Sequence, residues 1–200
     1  MKKRNSGFTL VEVVVVLAVV AILAAILTPN IVKNIKDSKI ARANNETQVI
    51  AAGLASFYKD VGRWPTSDGA ASALPDELDL IYGSGLAPAS AGATSDGWVS
   101  GGGSLSEDTF VHHLVENNPG GAANDYPSTG ELKWNGPYII EVKVDPFGCH
   151  YSCNILYTYD TTTNFVGILS AGPDRIAATL TAQPSTGVTI VGDDILTRLQ

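Results

Sequence analysis

Residues Phe8 to Leu27 read FTLVEVVVVLAVVAILAAIL, about twenty consecutive positions with a single charge, which is the length needed to cross a hydrocarbon core as a helix. No second run of this length follows in the 200 residues. Lys2, Lys3 and Arg4 stand just before the run, so the positive-inside tendency keeps the N-terminus cytoplasmic and sends the remainder across, in a single span. A cleavable secretory signal would have a shorter apolar region, about 7–15 residues, and a small-residue cleavage site after it. A plain signal anchor accounts for length and orientation but gives no reason for Glu12. A carboxylate inside a membrane helix costs about 2.5 kcal/mol or more without a partner.

After Pro29 the apolar pattern changes rather than stops. Ile31, Ile35, Ile40, Ala43, Ile50, Leu54 and Phe57 recur at helical spacings, with Lys33, Lys36, Lys39 and Arg42 on other faces. One helix from Phe8 to Tyr58 would measure about 75 Å at 1.5 Å per residue, with Pro29 removing one hydrogen bond and offering a kink. Gly62 and Trp64-Pro65 end it. The chain thus divides into a leader (1–7), a membrane-spanning helix (8–29), its amphipathic continuation (30–61) and a head (62–200).

Within the head, residues 83–103 are rich in Gly, Ala and Ser and read as a surface loop. A short helix is predicted from Glu107 to Asn118, capped by Ser106 and stopped by Pro119-Gly120-Gly121, with His112 and His113 as surface or packing residues. Strands are predicted at Tyr138–Val144, Ile155–Tyr159 and Phe165–Ser170, the last two joined by a hairpin over Asp160–Asn164. A three-stranded antiparallel sheet is marginal alone, but it becomes stable when packed on the amphipathic helix, which gives an α+β fold.

The formal net charge is -7, and a leader removed with its three basic residues leaves ten against twenty acidic ones. A body of that sign repels phosphate backbones, so nucleic acid is not an expected partner. Cys149 and Cys153 do not supply a four-ligand zinc site. In an oxidising compartment they are expected to close a small disulfide ring, the alternative being two free or buried thiols. Nucleophile elbow, phosphate loop and zinc-protease motifs are all missing from the sequence, so the chain is read as a structural subunit rather than an enzyme.

The string G-F-T-L-V-E at Gly7–Glu12 resembles the prepilin cleavage and methylation motif of type IV pilins and type II secretion pseudopilins. The resemblance implies that a prepilin peptidase cuts after Gly7, that Phe8 becomes the methylated N-terminus, and that Glu12 registers one subunit against the next. A buried carboxylate is tolerable beside the new amino group of Phe8. In the head, GRWPTSDGAASAL (62–74), NGPYI (135–139), DPFG (145–148), LSAGPD (169–174) and GDDI (192–195) are similar, in that order, to landmarks of the major pseudopilins. The middle loop is longer than in that group, and the 149–153 cysteine segment and the C-terminal loop depart from its pattern. Major pseudopilins hold calcium in the loop after the last strands, and the matching residues are Asp174, Asp193 and Asp194, within an acidic loop spanning 170–195. Calcium takes about six to eight oxygens, which carboxylates and loop carbonyls can supply, whereas the plainer alternative is three solvated turn formers.

The resemblance further implies a homopolymer, with an inner-membrane assembly platform and minor pseudopilins as partners and a filament that promotes protein export. The alternative is a type IV pilin in a surface fibre for adhesion or motility, which the enlarged loop favours; an anchored binding domain that does not polymerise is a third class.

Overall fold

The computed structural model describes residues 7–66, 78–92, 98–99, 107–121, 125–155, 165–180, 183 and 187–199. The chain divides into two compact units, residues 1–38 and 39–200. Helix α1, Leu10–Val61, contributes to both and carries Pro29 without interruption. Its first turn is a reciprocal cap. The Thr9 N–H and hydroxyl donate to Glu12 Oε2 at 2.8 and 2.7 Å, and the Glu12 N–H donates to Thr9 Oγ1 at 3.3 Å. This is the Thr-x-x-Glu capping box written in residues 9–12. At the other end Gly62 adopts φ 78°, and its N–H bonds to the Tyr58 carbonyl at 2.8 Å. A left-handed residue after the last turn is the glycine stop signal of helices. A side chain there would also collide with Leu132.

In the first unit every described residue of α1 is exposed. The large apolar side chains from Leu10 to Leu27 are 48–79% exposed. Burying each one in an apolar medium gains about 1.5–3 kcal/mol, so the segment as a whole calls for lipid or for copies of itself. Ile31 and Ile35, read as part of the amphipathic stripe, belong to this exposed stretch. The buried stripe begins at Ala43 and continues through Thr47, Ile50, Gly53, Leu54, Phe57 and Val61, one face of the helix.

That face packs on a five-stranded mixed sheet in an α+β head. Its strands are β1 (Leu80–Tyr82), β3 (Glu107–Thr109), β4 (Ser152–Cys153), β5 (Gly167–Ser170) and β7 (Ile195–Arg198), ordered β3-β1-β4-β5-β7. Only β1 and β3 run parallel, and β5 pairs with β7 over four residues. A second ladder joins β2 (Ala89–Ser90) to β6 (Ile176–Ala177) in parallel. The core gathers Ile50, Leu54 and Phe57 of the helix with Ile81, Cys153 and Ile168 of the sheet.

Several local expectations are corrected. The sheet is mixed and five-stranded, because β1 and β3, on either side of the 83–103 loop, pair in parallel and join it, and β7 closes its other edge. Glu107–Thr109 is a strand, followed by a π-helical turn at Val111–Val115, in place of a single helix to Asn118. Asp108 is buried there and accepts bonds from the N–H groups of Thr109 and Gly120, which a helix at that point would disrupt. His113 is fully buried. Tyr138–Val144 is not a strand. A strand lies at Ser152–Cys153; of the strand expected at Ile155–Tyr159, residues 156–159 lie outside the described residues, as do the expected hairpin connection over 160–164 and Ser106. The 83–103 loop contains β2 and a fully buried Trp98, whose indole N–H donates to the Thr179 carbonyl at 2.8 Å.

Candidate functional sites at the two ends of the chain

The first site is the junction Gly7-Phe8. Residues 7–9 precede α1 in non-helical conformation, and a Cβ placed at Gly7 would meet nothing within 4 Å. Phe8 is 89% exposed. An accessible peptide bond outside the helix, with a small residue on its N-terminal side, is what a peptidase can bind and cut. Glu12 lies one turn along, held by the Thr9 donors in the uncleaved chain.

The second site is the C-terminal acidic loop. Its two halves meet because Gly172 has no side chain: a Cβ there would sit 2.1 Å from the Asp193 carbonyl oxygen, and φ is 66°. The turn Gly172–Arg175 is closed by the Arg175 N–H to the Gly172 carbonyl at 3.2 Å. Asp174 Oδ1 accepts the Ile176 N–H at 2.8 Å. Asp194 Oδ2 accepts the N–H groups of Ala178 and Thr179 at 3.0 and 2.6 Å. The second oxygen of Asp194 and one oxygen of Asp193 are buried without a hydrogen-bond partner. Burial raises the Asp193 carboxyl above its ordinary value, and the adjacent Asp174 raises it further. Burial also raises Asp194, outweighing the Thr179 and Ala178 donors.

The structure therefore brings Asp174 and Asp193 together and turns Asp194 toward the backbone just after β6. Among the described residues no group of three or more His, Cys, Asp or Glu side chains is spaced to share one metal ion. The expected three-carboxylate set is a pair with a neighbour. Both members of the pair are oxygen-only side chains, the donor type a hard cation takes, and one Asp193 oxygen is buried without a hydrogen-bond partner.

The cysteines are corrected. Both are buried free thiols. The segment holding them runs beside 81–86, with Cys153 opposite Ile81 and Cys149 opposite Leu86. Four residues of extended chain span roughly 13 Å, too far for a disulfide.

Other polar contacts were not read from the sequence. Asp145 of DPFG accepts the N–H groups of Phe147 and Cys149, and its second oxygen accepts the Ser170 hydroxyl of LSAGPD at 2.7 Å, so two landmarks 25 residues apart are one hydrogen-bonded unit. Tyr151 donates its hydroxyl to Glu46 of α1, which also pairs with Arg42. Asp108 meets His112 and lies 3.1 Å from His113 Nε2, while His113 Nδ1 is 2.8 Å from the Tyr126 hydroxyl. Burial opposes ionisation of Asp108, yet His113 and the Gly120 and Thr109 donors hold its carboxyl well below the usual range. The adjacency Asp108-x-x-x-His112-His113 was the available signal.

Residues 2–28 match the family model described as the prokaryotic N-terminal methylation motif. The chain is 30% identical over 152 residues to fimbrial protein EcpC of Eikenella corrodens, covering 74% of this chain and 93% of that protein. It is 34% identical over 73 residues to type II secretion system core protein G of Aeromonas hydrophila, covering 36% of this chain and 51% of that protein. It is 38% identical over 61 residues to type IV major pilin protein PilA of Myxococcus xanthus, covering 30% of this chain and 28% of that protein. The chain thus spans about half the length of the secretion protein it matches. No solved structure matches it.

Proposed function

The chain belongs to the family of type IV pilins and type II secretion pseudopilins, and from that premise we propose that it is the structural subunit of a type II secretion pseudopilus. The observation that carries this reading is the exposed Gly7-Phe8 junction leading into the wholly exposed apolar stretch of α1 up to Leu27, which bears one carboxylate. A prepilin peptidase cuts after Gly7 and Phe8 is methylated. The subunit waits in the inner membrane as a single-pass protein, N-terminus cytoplasmic and head periplasmic. Polymerisation then transfers the apolar part of α1 from lipid to a bundle of copies. Glu12 needs a cationic partner on that route, and the Phe8 amine freed by cleavage supplies one four residues away. The assembly platform and minor pseudopilins are the implied partners, and protein export the implied outcome.

In the acidic loop, calcium held by Asp174 and Asp193, with Asp194 bracing the loop through its N–H partners, would neutralise the carboxylate pair. Bound calcium supplies charge compensation and loop order, not chemistry.

A surface pilus is the second reading. It is favoured by the fimbrial relative, matched over nearly its whole length where the secretion proteins are matched over half.

Mass spectrometry of the membrane form tests processing: loss of residues 1–7 and one added methyl on Phe8 is the expected result, and functional filaments with an intact leader would overturn it. Glu12→Ala is expected to insert normally and to polymerise poorly. Electron microscopy of sheared surface material with antibody labelling separates the readings, since long labelled fibres at native expression favour the pilus.

A further inference from the structure

The segment Ile140–Val144 reads Ile-Glu-Val-Lys-Val, an alternation of β-branched and charged residues suited to a strand. From Glu141 to Val144 it runs without turn or bend. It nevertheless belongs to no ladder. Among the described residues, none of the main-chain N–H groups of Ile140, Glu141, Val142, Lys143 and Val144 donates a hydrogen bond. Ile140 is 92% exposed, and the Glu141 and Lys143 side chains are 60% and 61% exposed. Only Val142 is tied to the head: its side chain is buried beside Gly83, and its carbonyl accepts the Ser84 hydroxyl at 3.0 Å.

That single anchor orients the segment. In extended chain the N–H and C=O of one residue point to the same edge, and those of its two neighbours point to the other. The Val142 groups face their own head, so those of Glu141 and Lys143 face outward. An unpaired strand edge is a template for another strand.

We propose that Ile140–Val144 is a docking strand for a second copy of this chain, pairing antiparallel about Val142. In that register Val142 faces Val142 of the copy as a non-hydrogen-bonded pair. Glu141 faces Lys143 of the copy, and Lys143 faces Glu141, each as a hydrogen-bonded pair that exchanges two main-chain bonds. The charges are therefore self-complementary twice over. Within one chain Lys143 Nζ already lies 2.9 Å from Glu141 Oε1, and pairing exchanges this contact for two across the interface. An in-register parallel arrangement would set like charges side by side, which is unfavourable. The contact is isologous, the same patch used by both partners. It is independent of whether the assembled filament serves secretion or surface attachment.

The test uses the full chain in detergent, mixing isotopically heavy and light copies and applying a zero-length carbodiimide that joins carboxylates to amines. The expected product is a heavy–light crosslink between Glu141 and Lys143. Glu141→Lys and Lys143→Glu each place like charges opposite one another and are expected to lower self-association through this strand about tenfold. An equimolar mixture of the two single variants restores it, because lysines then face glutamates. The double variant Glu141→Lys/Lys143→Glu pairs with itself as the parent does. An intrachain role for the Glu141–Lys143 contact predicts no rescue on mixing, so rescue also excludes misfolding of the singles. Intrachain crosslinks alone, single variants that fail to rescue one another, or capture of 141 and 143 by a different protein would overturn the proposal. Leader removal and filament formation are read separately and do not decide it.

Discussion

Gly53 sits in the buried face of α1 where the chain at Ile139 crosses it. A methyl group there would lie 2.7 Å from Ile139 Cγ2, 3.7 Å from Leu114 Cδ1 and 4.0 Å from the Tyr138 carbonyl oxygen. At an open mid-helix site, Gly→Ala would stabilise by about 0.8–1.0 kcal/mol. Here the new methyl overpacks a β-branched side chain whose backbone is fixed, since Tyr138 and Ile139 both donate to the Leu114 carbonyl, at 2.7 and 3.5 Å. Overpacking costs about 1–3 kcal/mol, so Gly53→Ala is expected to destabilise by about 1 kcal/mol net. For a domain of this size that is a melting shift of roughly 2–4 °C. The assay is urea unfolding of the Lys39–Gln200 unit followed by tryptophan fluorescence. Ile139→Ala removes the offending methyl and in the Gly53→Ala background should cost at least 1 kcal/mol less than it does in the parent, a coupling that a double-mutant cycle measures. A Gly53→Ala protein more stable than its parent, or strict additivity in the cycle, would refute the idea that Ile139 is what forbids a side chain at position 53.

Calcium should raise the melting of the head by about 2.7 kcal/mol at one hundred times its dissociation constant, and Asp193→Ala should abolish the response while magnesium substitutes poorly. In chelator, the raised carboxyls of Asp193 and Asp194 should make the acidic loop lose stability as pH rises from 3.8 through their folded values, seen as amide exchange in residues 172–194. Burial lowers both His113 and His150, so below pH 6.5 the unfolded chain binds protons the folded one refuses. Stability should fall with acid by up to about 1.4 kcal/mol per pH unit for each histidine, and His150→Gln should flatten that slope by one proton. Maleimide without reductant should label neither cysteine in native protein and both after unfolding; two missing labels after unfolding would restore the disulfide.

The rod was legible because it needs only local rules. Length, hydropathy and the glycine at position 62 are written in consecutive residues, as is the 9–12 capping box, which the sequence reading passed over. The face of α1 from Ala43 to Phe57 was legible by its period. The sheet was less so, for two reasons. Strands of two to four residues carry too little alternation to stand out, as at Ser152–Cys153. Conversely, 140–144 alternates well and, among the described residues, finds no ladder partner. The burial of Asp108 and His113 was hidden because their sequence adjacency signals a local pair but not that the carboxylate will be buried against the N–H of Gly120, twelve positions away. At the acidic loop the three aspartates were identifiable, but their separate duties depended on Gly172 letting two backbones touch.

The last strand carries a consequence for how the head is completed. Among the described residues β7 pairs with β5 alone, at the edge of the sheet, and Thr197 Oγ1 lies 2.7 Å from Thr47 Oγ1 across 150 residues of sequence. Such long-range closure is slow compared with local folding. Synthesis runs from the N-terminus, so α1 and β5 exist before residues 195–198 do, and β5 keeps an open edge until they arrive. An unpaired edge is a template for any strand that meets it. A chain clipped before Ile195 would therefore present β5 to other strands, which makes the last strand a guard against mispairing.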